Sequence, residues 1–508
     1  MSKYSKAIVA SGHDLVGEAA GQILREGGNA FDAVVAAGFT SAVVEPTLTS
    51  LGGGGFLLGH SDKHGQDLFF DFFVNTPGLG RDVSGMQPHF FPVTIQFLGK
   101  SQDFNVGRGS VAVPGNLKGL IHIQDRLGSM SLANVLAPAR EYAREHIINQ
   151  QQGHFLQLLY SIMTLLPDGK ELYEPGGRYL QPGNKMKNPA CALFLDELAD
   201  DKGERFYNGD IAAQIDRDMR EGNGLLSRQD LANYRVHERK PLKIPYRGHT
   251  LLTSPEPSMG GTLIGLSLSL MENLGSYQGN WGDGAHLART VSLMQQVEEI
   301  RRKGVTTPDQ LYAFLEDRQR FKTAINQMRL FSRGTTHVSI SDRFGNCASM
   351  TCSNGEGSGY FAPGTGVMLN NMMGEDDLHP DGFHSSPPGM RVGSMMSPSL
   401  LLKDKEVRLV IGSGGSKRIR PAVSQVLSQV VDFERDLQEA VDAPRLYWDG
   451  EVVQVEPGFS AKALEELAQI VKINAWDDRD VYFGGVHAVI PGKSGAGDPR
   501  RGGSVIEV

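Results

Sequence analysis

The chain changes period at Arg333-Gly334, and that change limits the folds open to it. Before it, apolar residues recur at helical spacing in 14–25, 29–43, 132–145, 211–220, 261–274, 284–303 and 308–328. Only 56–58 and 68–73 read there as strands. After it, Thr335 to Ser341 alternates with period two, Asp342 to Asn346 supplies turn residues, and Cys347 to Ser353 alternates again. Two alternating runs about a short turn predict a hairpin. Further strands are expected at 399–402 and 407–411, paired through Lys403-Asp404-Lys405, and at 452–455, 487–490 and 503–508, with helices at 419–433 and 461–467. Helices gathered early and strands gathered late predict an α+β fold with helices on the faces of sheets. Parallel βαβ winding fits less well.

Glycine bears on where the backbone must bend or approach closely. It makes up 62 of 508 residues, about 12% against a usual 7% or so, with no collagen period or linker composition. Specific backbone positions are therefore expected to need it. A net charge of −8 and a pI near 6.0 exclude a general binder of nucleic acid or anionic membrane. Three scattered cysteines form neither a disulfide framework nor a zinc spacing. No run approaches the ~18–20 apolar residues of a membrane span, and residues 1–11 lack the apolar core of a secretory leader. A cytoplasmic location is the expectation.

Several segments could carry chemistry. Gly52 to Gly55 lacks the lysine and hydroxyl residue of a phosphate loop and runs into a strand, so a close-packed turn is expected. Gly412-Ser413-Gly414-Gly415-Ser416 lies between a strand and a helix. Both an ordinary turn and a nest of amides for an anion or oxyanion are open there. His337 reads as a structural histidine in a strand. Cys347 and Cys352 should face opposite sides of theirs. Glu375-Asp376-Asp377 with His379 could hold a metal or an ammonium group, although a solvated loop is the default. Thr335 is unremarkable unless the chain is cut before it. A cut would give one residue both a hydroxyl nucleophile and an α-amine of ordinary pKa ~7.7–8.0, suited to a general base. Gly334 would suit the scissile position because its carbonyl is open to attack.

In order along nearly the whole chain, these segments resemble the γ-glutamyltransferase (γ-glutamyltranspeptidase) family of N-terminal-nucleophile hydrolases. The resemblance rests on Gly28-Asn29-Ala30-Phe31-Asp32-Ala33, Val44-Glu45-Pro46 and Gly52 to Phe56, then Val113-Pro114-Gly115, Leu231 to Arg235, Tyr246-Arg247-Gly248 and Pro257 to Gly261. Thr335 to Ser339 with Asp342, Gly345 and Asn346 matches the nucleophile segment. Pro363 to Gly366, Leu369-Asn370-Asn371, Ser394 to Pro398 and Gly412 to Ile419 complete it.

The resemblance implies a four-layer αββα sandwich and a proenzyme cut between Gly334 and Thr335, giving segments 1–334 and 335–508 that stay associated. It makes Thr335 the nucleophile, Ser353 its supporting hydroxyl, and Gly414-Gly415 the oxyanion amides, with Ser416 beside them. It implies no metal and no cofactor. The substrate is a small-molecule amide, γ-glutamyl and glutathione-like, whose acyl group passes to water or an amine. A homodimer is an option.

The donor end departs from the family. Phe73 stands where an arginine usually binds the donor α-carboxylate, Met372 replaces a glutamine, and the paired serines read Ser394-Met395. Glu375 or Asp376 falls near the acidic residue for the donor α-amine, and Asn354 near a donor-binding asparagine. An acylase with a non-glutamyl, for example glutaryl, donor is the alternative. A catalytically silent homologue is the third expectation.

Overall fold

The computed structural model describes residues 2–82, 86–97, 100–316, 334–375, 378–379 and 382–508. The amphipathic helix predicted at its amino end spans Asp14–Arg25, started by His13, whose Nδ1 accepts the Leu15 amide at 3.1 Å. The next helix, Ala30–Val44, opens on a capping box between Asn29 and Asp32. It is apolar on every side and accordingly buried on nearly every side. Asp32 also accepts the Ser129 and Met130 amides and the Gln124 side chain, tying the helix start to a distant turn.

Two antiparallel sheets lie at the centre. The first runs in the order Ser504–Glu507, Ile8–Ser11, Thr336–Ser341, Cys347–Ser353, Gly54–Ser61, Gln66–Phe72, His237–Arg239. The second runs Ser494–Ala496, Gly485–Ile490, Glu406–Gly414, Ser399–Lys403, His249–Thr253, Leu242–Tyr246. Alternation along each strand divides the core. Val9, Leu57, Phe70, Val338 and Met350 face helices 14–25 and 30–44. Ile8, Ala10, Phe56, Leu58 and Phe69 face the second sheet, where they meet Leu251, Leu400, Ile411 and Val486. Helices Met259–Asn273 and Ile419–Val431 contribute Leu263, Ile264, Val423 and Val426 to that same core. The result is a mixed α and β architecture of helices and sheets, as expected. Among the described residues no helix is long and apolar enough to cross a membrane.

The predicted hairpin forms as read: Thr336 pairs with Cys352 and Ser341 with Cys347. The pair at 399–403 and 406–414 forms too. Helix 308–328 is described only over Pro308–Glu316, the rest lying outside the described residues. Before residue 334 the strands Ile8–Ser11, Phe91–Phe97, Lys100–Val106, His146–Ile147, Lys185–Met186, His237–Arg239, Leu242–Tyr246 and His249–Thr253 lie outside the two expected there. Leu242–Tyr246 is an edge strand, its Leu, Ile and Tyr buried in alternation, and Pro245 is tolerated because an edge strand leaves N–H groups unpaired. His237–Arg239 is too short and polar to show a period. Each sheet draws strands from both sides of residue 334.

Candidate active site

The hairpin register sets Thr335 beside Ser353 at one end of the first sheet. Thr335 is 4% exposed, and its Oγ1 donates to Ser353 Oγ at 3.4 Å. Ser353 Oγ in turn donates to the carbonyl oxygen of Gly334 and accepts the Gly355 amide at 3.1 Å. One hydroxyl thus touches the oxygen of the Gly334–Thr335 peptide and the hydroxyl of the following residue. A side chain at 334 has no room, since a methyl there would sit 1.6 Å from the Gly355 carbonyl oxygen.

The four-glycine run supports this end of the sheet. Ser353 pairs with Gly54, and a methyl on Gly53 would lie 2.1 Å from the Ser353 carbonyl oxygen. The Gly53 carbonyl accepts the Gly115 and Asn116 amides. The run is a place of close backbone approach, as expected, and its groups are spent within the protein.

The glycine turn at 412–416 lies opposite. Its strand ends at Gly414, Gly415 takes φ 120°, and the short 3-10 turn Ser416–Arg418 leads into helix 419–431. A methyl on Gly414 would stand 2.4 Å from the Thr335 carbonyl oxygen, so the turn lies directly against the threonine backbone. His337 is structural, its ring nitrogens meeting Thr351 Oγ1 at 2.8 Å and Ser339 Oγ at 3.0 Å, with Gly412 leaving space for the ring. Cys347 and Cys352 lie in opposite cores, as their spacing predicted.

Between threonine and turn opens a cavity of about 320 Å³, counting its mouth. Its polar lining is Thr335, Ser353, Glu375, Ser394 and Ser416. Phe73, Met372, Leu378, Met395, Met396 and Ile419 make the rest apolar. No arginine, lysine or histidine lines it among the described residues. Arg391 reaches the Phe73 backbone, but its guanidinium is held by the Phe73 carbonyl, Tyr234 Oη at 2.9 Å and Asp71 Oδ1 at 3.3 Å.

Other expected residues divide. Glu375 and Ser394 line the cavity. The solvated loop expected at 375–379 is corrected for Glu375 and His379, both buried. Glu375 packs beside Gly355, and His379 Nε2 lies 2.8 Å from the Met372 carbonyl oxygen. Asn354 is buried outside the cavity lining, and its carboxamide has no hydrogen-bond partner among the described residues. Asp376 lies outside the described residues. Two residues given no role by the sequence reading also reach the site. Thr336 Oγ1 donates to the buried carboxylate of Glu45 at 3.1 and 3.2 Å, and Arg501 Nη1 donates to the Thr335 carbonyl at 2.9 Å. A carboxylate at the carboxyl end of an apolar helix, before Pro46, was the available signal for Glu45.

The family model for gamma-glutamyltranspeptidase matches residues 17–508. The chain belongs to the γ-glutamyltranspeptidase family. Members of this family are N-terminal-nucleophile hydrolases, and two kinds of relative are similar to the chain. The acylase ACY 1 proenzyme of Pseudomonas sp. (strain SE83) is 32% identical over 91% of this chain and 86% of that protein. The glutathione hydrolase proenzyme of Escherichia coli is 29% identical over 94% of this chain and 87% of that one. Among solved structures, the cephalosporin acylase from Bacillus halodurans superposes with a TM-score of 0.85 at 25% identity, covering 100% of this chain and 96% of that one. Within the γ-glutamyltranspeptidase family, the chain therefore resembles both acylases and glutathione hydrolases.

Proposed function

We propose that this γ-glutamyltranspeptidase-family chain is a self-processing threonine acylase on a four-layer αββα scaffold. It cleaves small amides whose acyl group is apolar rather than γ-glutamyl. The observation that carries the processing step is the Ser353 hydroxyl, bonded to the Gly334 carbonyl oxygen and to Thr335 Oγ1. Thr335 Oγ attacks the Gly334 carbonyl carbon, and Ser353 stabilises the oxyanion that develops. The C–N bond breaks as the ester forms, and the nitrogen takes the hydroxyl proton. Water then hydrolyses the ester, leaving a carboxylate on Gly334 and a free amine on Thr335.

In turnover the α-amine serves as base for the Thr335 hydroxyl, which attacks the substrate amide. The Gly414 and Gly415 amides, against the threonine backbone, receive the oxyanion. The leaving amine departs, and water or a second amine takes the acyl group.

The lining supports the donor class. A γ-glutamyl or glutaryl donor carries a carboxylate, and its burial without a cation is costly. Phe73 occupies the place of the family arginine, and Glu375 adds a like charge. The similarity to acylase proenzymes points the same way. A γ-glutamyl donor is the second reading, favoured by Glu375 as a partner for an α-ammonium group.

Anilides with hexanoyl, glutaryl and γ-glutamyl groups test this side by side, with mass spectrometry following the cut at Thr335. Highest kcat/KM on hexanoyl anilide supports the proposal, and preference for γ-glutamyl anilide overturns the donor assignment. A chain that stays whole overturns self-processing.

A further inference from the structure

Behind the cavity, one side chain touches both halves of the proposed machinery. Arg501 ends the short turn Pro499–Arg501 and is 3% exposed. Its Nη1 donates to the Thr335 carbonyl at 2.9 Å. A methyl on Gly414 would lie 3.2 Å from that nitrogen, and one on Gly415 would lie 3.5 Å from Nη2. The absent side chain of Gly485 makes room for the arginine stem, whose Cδ would stand 2.2 Å from an added methyl. The guanidinium is thus wedged between the nucleophile's backbone and the glycine turn. On the far side Glu45 holds Thr336 Oγ1, and its charge acts on Arg501. Gly12 leaves the gap between Glu45 and His487 narrow: a methyl there would lie 3.4 Å from Glu45 Oε1 and 3.2 Å from His487 Nε2.

We propose that Arg501 is a positioning residue that fixes Thr335 against the Gly414-Gly415 turn and keeps the liberated α-amine of Thr335 neutral, with Glu45 as the opposing charge. The inference rests on Thr335 being the nucleophile. Its physical basis is simple. A cation one residue's backbone away disfavours a second positive charge, and a carboxylate nearby favours it. An amine that is to act as base near neutral pH needs the first influence to prevail.

Other charged groups stand around it. Arg418, Asp480 and Asp498 act on Arg501. The 354–375 segment contributes Glu356 and Glu375, both buried. His487 is held neutral by burial, its pKa brought down to about 4. Burial pushes Glu45 up to about 7, so its carboxylate charges in the range where the amine must discharge.

The test compares Arg501→Met, Arg501→Lys and Glu45→Gln with the native chain and with Thr335→Ala. It uses the preferred anilide and full pH profiles, with processed enzyme for every variant except Thr335→Ala, which stays uncut. A displaced reacting group can cost about 100-fold, so Arg501→Met should lose roughly 10- to 100-fold in kcat with KM within about twofold. The acidic limb of its kcat/KM profile should move towards alkaline pH. Arg501→Lys should restore most of that limb's position, and Glu45→Gln should move it the opposite way. If Arg501→Met does not fold, Glu45→Gln still gives a limb shift, read against the near-native limb of Arg501→Lys. Unmoved limbs, or limbs of both charge types moving together, overturn the inference. Activity in Thr335→Ala would instead overturn the underlying nucleophile reading.

Discussion

The hydroxyl of Ser353 is hydrogen bonded to the carbonyl oxygen of Gly334, and the same oxygen atom of Ser353 receives the Thr335 hydroxyl at 3.4 Å. In the proposed processing step, nucleophile, electrophile and proton donor thereby stand in one short chain.

Removing that donor should slow the cut. Loss of one oxyanion donor typically costs about 10²–10³ in rate, so Ser353→Ala should process on that scale more slowly. Ser353→Thr, which keeps the hydroxyl, should process close to normally. Time-resolved denaturing electrophoresis measures both, and equal rates for Ser353→Ala and native chain would remove Ser353 from the step.

Gly334→Ala probes the steric fit. The added methyl would overlap the Gly355 carbonyl oxygen at 1.6 Å, forcing the strand end apart. Processing should fail or fall sharply while the thermal midpoint changes by only a few degrees, since the clash is confined to one turn. Unimpaired cutting would show that the backbone relaxes freely there.

Phe73→Arg should redirect the donor. Phe73 packs against Phe56 at 5.5 Å and forms an apolar wall of the cavity. A guanidinium in its place gives a donor carboxylate the bidentate partner it lacks. The ratio of kcat/KM for glutaryl over hexanoyl anilide should rise at least tenfold, or about 1.4 kcal/mol. An unchanged ratio would mean that the carboxylate is bound elsewhere.

Acid should destabilise the fold. His13 and His487 are brought down to about 4 by burial, and His337, sealed between Thr351 and Ser339, is held well below its ordinary value. As pH falls through 6.5, the unfolded chain binds protons that these folded sites refuse, so stability drops until about pH 4. Glu45, raised to about 7, acts in the other direction: the folded state takes its proton first, so its contribution falls as pH rises from about 4.5 to 7. Burial also lowers His146, His237, His286 and His384, so the histidines outweigh Glu45 and urea midpoints should decline from pH 7 to pH 5. His337→Gln should flatten the decline if the variant folds, and a flat native profile would refute the assignment.

What could be read from the sequence was whatever is local. Helix Asp14–Arg25 shows itself by period and terminators, and the 336–353 hairpin by alternation and a turn rich in Asp, Gly and Asn. Family resemblance supplied Thr335, Ser353 and the glycine turn, and the structure brings these together. Contacts between distant segments were not legible. Arg501 lies 166 residues from Thr335, and nothing in a Pro-Arg-Arg run announces where its guanidinium goes. Glu375 sits in an acidic triplet that suggests water, yet tertiary packing encloses it. Edge strands such as Leu242–Tyr246 derive their conformation from pairing rather than from propensity.

Thr336–Ser341 is paired on one side with Ile8–Ser11, and its hairpin partner Cys347–Ser353 with Gly54–Ser61. Both flanking strands belong to the segment before residue 334. A break at Gly334 would therefore leave two pieces joined like interlaced fingers, each filling a gap in the other's sheet. Neither half presents a finished surface alone. Pulling such pieces apart would mean opening both central sheets, since each sheet takes strands from either side of the break.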